Sequence, residues 1–135
     1  MLHLNKTFIN TVGFLVLANI STVAQAAFND GCDNDKSTNP RYIRCLENKI
    51  TEQQNIAQTW RNKIEFDLEK KQNETGNVQL LKVFTRAEQE FVKYVEDSCR
   101  WRYLDLLPDT IAATITYKRC ELQLNQQRVD GLKFK

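Results

Sequence analysis

The segment CRWRYLDLLPDTIAATITYKRC, residues 99–120, decides the fold. Pro108 interrupts two stretches of helical character and is followed by Asp109-Thr110, both good helix-capping residues. Cys99 lies nine residues before the proline and Cys120 twelve after it. In an antiparallel hairpin those positions come level, within reach of the usual bridge separation of about 5.5 Å. The segment therefore predicts a helical hairpin with a cross-strut. Working outward, Cys32 and Cys45 remain as the second pair.

The four cysteines allow three pairings, and the hairpin favours Cys99–Cys120 with Cys32–Cys45. Their intervening stretches of 12, 53 and 20 residues contain no C-x-x-C, so neither a zinc knuckle nor a dithiol redox motif is indicated. In the chain-entropy model the two loops contribute about 3 and 3.4 kcal/mol. These are substantial against a total stability of about 5–15 kcal/mol for an ordinary domain.

Upstream, Thr38-Asn39-Pro40 reads as a helix start, a capping side chain followed by proline at the first position. Leu46, Ile50, Ala57, Trp60, Ile64 and Leu68 then recur at steps of three and four, with Gln53 in the remaining slot. Asn73-Glu74-Thr75-Gly76-Asn77 predicts the stop of this helix near residue 72. A second helix is expected from about Val78 to Leu106. Its inner stripe holds Leu81, Phe84, Ala87 or Glu88, Phe91, Tyr94 or Val95, and Cys99. The third begins near Asp109 and carries Ile111, Ile115, Tyr117 or Lys118, Leu122, Leu124 and Leu132. Residues 27–38 lack a period and read as an irregular arm. The predicted fold is all-α, an antiparallel three-helix bundle with two disulfides. The spacing is also compatible with a homo-oligomeric coiled coil. The turn at Pro108 and the level of the cysteines favour the intramolecular bundle. Trp60, Phe84, Phe91 and Tyr94 are expected in its core, Trp101 and Tyr103 nearer the surface.

With 135 residues, one domain is expected; 19 basic against 17 acidic side chains are too balanced for a polybasic nucleic-acid binder. Four glycines and two prolines argue against a turn-rich all-β chain. At the N-terminus, Lys6 precedes an apolar run from Val12 to Ile20, broken only by Asn19, and Ala24-Gln25-Ala26 fits a small-x-small cleavage site. The run is too short to span a membrane. Residues 1–26 are thus expected to be a cleaved signal peptide, leaving the helical domain 27–135 in the periplasm or outside the cell, without stable membrane insertion.

The mature chain would hold 18 basic and 17 acidic residues and no histidine, since His3 lies in the signal. That removes histidine-based acid–base and nucleophilic chemistry and most zinc sites. A carboxylate pair of glycosidase type would be the main enzymatic route left. Glu65 with Glu69, and Glu96 with Asp97, read instead as surface charges beside basic partners. No enzyme activity, cofactor or metal is expected. Asn73-Glu74-Thr75 matches a glycosylation sequon but falls in an ordinary turn.

Over residues 28–133 the chain resembles the family of small exported proteins named for the lysozyme inhibitor LprI. The resemblance rests on combined spacing. Phe91, Tyr94, Glu96 and Cys99 stand on one helix. Cys120 is followed by Leu124, Asn125, Arg128 and Leu132, while Cys32 and Cys45 precede Trp60. Phe91 stands where the family usually has tryptophan, Val95 where arginine is common and Glu96 where aspartate is. The resemblance implies a helical, disulfide-bonded envelope protein, in some members an inhibitor of lysozyme.

An inhibitor must occlude a cleft holding two carboxylates, which calls for donors on a rigid support. Arg100, Trp101, Arg102, Tyr103 and Arg119, with Lys118 nearby, are the best local set, and Trp, Tyr and Arg are common interface anchors. The expected partner is a protein, a lysozyme on the family's precedent. The alternative is a non-inhibitory envelope interaction or structural module.

Overall fold

The computed structural model describes residues 28–36 and 38–134. The expected signal peptide lies outside the described residues. A short 3-10 helix, Asp33–Asp35, interrupts the arm that the sequence suggests is irregular. Three helices follow: α1 over Asn39–Thr75, α2 over Gln79–Asp105 and α3 over Thr110–Lys133. The all-α three-helix bundle is as predicted, and so are both disulfides, Cys32–Cys45 and Cys99–Cys120, with Cα separations of 6.0 and 5.5 Å. No described helix is long and apolar enough to cross a membrane.

The helix ends follow local chemistry with two differences. Asp109 caps α3 by accepting from the Ala112 N–H at 3.0 Å. Thr38 occupies the N-cap of α1, yet its side chain accepts no capping hydrogen bond. Proline in the first turn removes one of the donors that would otherwise need a cap. α1 also runs beyond the expected stop, placing the Asn73-Glu74-Thr75 sequon in its last turn. Gly76 ends it at φ 72°, a left-handed conformation that favours glycine, and returns its N–H to the Gln72 carbonyl at 2.8 Å.

α3 packs against both other helices, whereas α1 and α2 share a smaller contact. Tyr42, Leu46 and Ile50 of α1 close with Leu122 of α3 around the Cys32–Cys45 bridge, with Phe28, Cys45 and Ile115 packed against them. Ala113, Val129 and Leu132 continue the buried line of α3. The 37 residues of α1 outrun the 24 of α3, a difference of about 20 Å along the axis. α1 accordingly buries Tyr42, Leu46, Ile50 and Ile64 and nothing beyond.

The aromatic positions need correction. Trp60, Phe84 and Phe91 are only half-buried, and Tyr94 is 57% exposed. At the two ambiguous positions of α2 the bundle takes Glu88 over Ala87 and Val95 over Tyr94. Ile111, expected on the inner stripe of α3, is exposed. These rings are large enough to mark a helical period while lying on its flank.

Leu46 is fully buried and Tyr94 is not, so the two should separate in urea unfolding. Leu46→Ala is expected to cost about 2–5 kcal/mol. Tyr94→Ala should stay within about 0.5 kcal/mol.

Candidate partner-binding surface

The hairpin between α2 and α3 projects the apolar residues Trp101, Leu104, Leu107 and Ile111, each 44% exposed or more. The Cys99–Cys120 bridge holds its base, with Cys99 fully buried. Such a clamp keeps the two helix ends together, so little ordering remains for a binding event.

The five residues named from the sequence divide into two groups. Arg100 and Trp101 face outward. Arg100 approaches Glu96 at 3.8 Å, a pair with both side chains more than 60% exposed, which contributes little. Tyr103 is half-buried and meets Tyr117 edge-on, ring centroids 6.5 Å apart. With Glu96, Arg100 and Thr114 they line an open cleft of about 340 Å³. Arg102 folds back instead. It donates to the Ser98 carbonyl, lies 3.8 Å from Cys120 Sγ, and spreads its guanidinium over Trp101 at 4.6 Å from the ring centroid. Arg119 is drawn to the N-terminal arm, 3.2 Å from Asp30 and donating to the Phe28 carbonyl at 3.4 Å. The structure therefore gathers Arg100, Trp101 and Tyr103 at the tip and gives Arg102 and Arg119 internal partners.

Two polar clusters escape the sequence reading. In the first, buried Asp30 accepts from the Tyr42 hydroxyl and from the Cys32 N–H at 3.0 Å, beside Arg119. Burial pushes the Asp30 carboxyl up, but the Tyr42 hydroxyl, the Cys32 N–H and the Lys36 and Arg119 charges outweigh it and hold the carboxyl below its ordinary range. Burial, then the bond to Asp30 and its negative charge, push Tyr42 up to about 12. A sequence signal existed only in Asp30 lying two residues before Cys32. In the second cluster, buried Glu88 of α2 pairs with Arg128 of α3 and lies 3.3 Å from Arg61 of α1. Arg128 also covers the Phe91 ring at 5.3 Å. Burial, then the positive charge of Arg61, lower the pKa of Arg128.

Among the described residues, no group of three or more His, Cys, Asp or Glu side chains is placed to hold a metal ion. Compared with protein-family models, curated proteins and solved structures, the chain gives no match.

The Asp30–Tyr42 pair has a defined pH signature. The fold favours neutral Tyr42, so that contribution is complete below the ordinary tyrosine value of 10.0 and is lost as pH rises toward about 12. Tyr42→Phe should flatten the fall in urea stability over that window. On the acid side, stability from ionised Asp30 is present above its ordinary value of 3.8 and disappears as pH falls through its lower folded value. Asp30→Asn should remove that acid-limb slope, whereas Tyr42→Phe should only reduce it.

Proposed function

We propose that this chain is an exported partner-binding protein, without enzymatic activity, that docks through the tip of the α2–α3 hairpin. The observation that carries this reading is the clamped tip, where Trp101, Leu104, Leu107 and Ile111 stand exposed beside Arg100. Exposed apolar side chains grouped around an aromatic anchor and an arginine have the composition of an interface centre. Export is supported by the apolar run and small-x-small site before Ala27, and by disulfide pairing of all four cysteines.

Within this reading, the LprI resemblance makes the partner a muramidase. Arg100 would supply a donor fork toward a cleft carboxylate, Trp101 a rigid ring beside it, and Tyr103 a phenol from the adjoining cleft. Two observations favour the plainer reading of a non-inhibitory envelope module. Arg102 and Arg119, two of the expected donors, are engaged inside the molecule. The near-neutral balance of charge also gives little long-range steering toward a basic enzyme.

Titrating hen-type, goose-type and invertebrate-type lysozymes with the oxidised protein distinguishes the two. Inhibition by the wild type and its loss, by about tenfold or more, in Arg100→Ala/Trp101→Ala is the result expected of an inhibitor acting through this tip. An absence of inhibition of all three enzymes at micromolar protein would reject the inhibitory role. Full inhibition by the double variant would move the contact elsewhere.

A further inference from the structure

α2 buries only Glu88 and Cys99 among its 27 residues. Its outward side is nevertheless patterned. Leu80, Val83, Ala87, Tyr94, Trp101 and Leu104 fall at alternating steps of three and four (or their sum of seven). That is the seam of a coiled-coil helix. Val83, Tyr94, Trp101 and Leu104 are 47–57% exposed, Ala87 is exposed and Leu80 half-buried. The two remaining seam positions are Glu90 and Asp97, both exposed. Along one flank, again seven apart, stand Arg86, Lys93 and Arg100, all exposed. Lys93 touches Glu90 at 2.9 Å and Arg100 approaches Glu96 at 3.8 Å. These are surface pairs that an incoming carboxylate can replace at little cost.

We infer that the outer face of α2 is a docking seam for an amphipathic helix of another protein, one that carries acidic residues along the flank facing Arg86, Lys93 and Arg100. The charge arrangement selects against a second copy of this chain. Antiparallel self-pairing would set the basic row against its own copy. Parallel self-pairing would set Glu90 against Glu90 and Asp97 against Asp97 across the seam. Like charges in register are the usual device by which coiled-coil partners reject themselves. A heterologous helix meets the same features favourably, with carboxylates along its flank and a cation opposite Glu90 or Asp97. The seam shares Trp101, Leu104 and Arg100 with the hairpin tip and continues along α2 to Leu80, and the inference does not rest on the inhibitory reading.

The test uses the full oxidised protein and two fluorescently labelled helical peptides of about four heptads. Both carry leucine along the seam and lysine opposite Glu90 and Asp97. One has glutamate on the flank and the other lysine. Anisotropy titration at low salt should show the glutamate peptide binding about tenfold or more tightly than the lysine peptide, with the gap narrowing as salt rises. Arg86→Glu/Lys93→Glu/Arg100→Glu should reverse the preference. Tyr94→Asp should weaken both peptides while leaving the helical circular dichroism unchanged. No binding of the glutamate peptide at about 100 µM, or equal affinity for both, would overturn the inference. So would a dimer in sedimentation that Tyr94→Asp dissolves, because the occupant would then be a second copy. Tyr94 lies off the hairpin tip, so Tyr94→Asp leaves tip-mediated inhibition intact and the two readings fail separately.

Discussion

Glu88 is a carboxylate buried between two guanidinium groups, Arg61 from α1 and Arg128 from α3. Each helix contributes one charge, so the cluster joins the whole bundle at one level. Burying an ion is expensive unless it is paired. Arg61 Nε, Arg128 Nε and Glu88 Oε1 are buried without a partner in hydrogen-bond geometry, so charge holds the cluster, with Glu65 a second carboxylate 3.6 Å from Arg61. A slip of α1 by one turn, about 5.4 Å, would leave a buried charge alone, while the Cys99–Cys120 bridge already fixes α2 against α3. The triad thus supplies register to a core of small cross-section.

The other polar cluster and the two bridges organise the remainder around that level. Asp30 accepts from Tyr42 and meets Arg119, so the short arm before Cys32 is tied to α1 and α3 at once. The Cys32–Cys45 bridge closes the same corner covalently, and Leu46, Ile50 and Leu122 fill it. Toward the hairpin tip, Cys99–Cys120 adds to the packing of Ala113 and Ile115, while Trp101, Leu104, Leu107 and Ile111 stand in solvent. Order at the tip therefore comes from the crosslink and the helix cap at Asp109, which frees Trp101, Leu104 and Ile111 from any role in the core. That division leaves the tip exposed.

Much of this was legible in the sequence. The cysteine levels around Pro108 give both bridges, and the turn residues at 73–77 and 108–110 place the helix ends to within three residues. Leu46, Ile50, Ile64, Leu122 and Leu132 are buried as their period requires. The failures share a cause. Helical periodicity cannot separate adjacent positions such as Ala87 and Glu88, and it leaves both open on the inner stripe. Glu88 is buried because Arg61 and Arg128 arrive from distant parts of the chain, and local pattern carries no information about them. Arg119 is the reverse case: it reads as a free surface donor, and the structure adds Asp30 and the Phe28 carbonyl as partners while its side chain stays 45% exposed. Tyr94 marks the helical period but lies on the flank, since a narrow three-helix core has no room for every ring.

Function follows from what the bundle leaves outside. With the Glu88 triad holding α1 and both bridges at the end that carries the hairpin, α2 leaves most of its surface exposed. The most direct test of this account is urea unfolding of oxidised Glu88→Ala beside an exposed control, Glu96→Ala. Removing one partner of a buried ion cluster should cost about 3–5 kcal/mol although both disulfides persist, whereas the surface control should change stability by less than about 0.5 kcal/mol. A loss below about 1 kcal/mol for Glu88→Ala, in the range of an exposed pair, would contradict the claim that this carboxylate holds α1 in register with the α2–α3 hairpin.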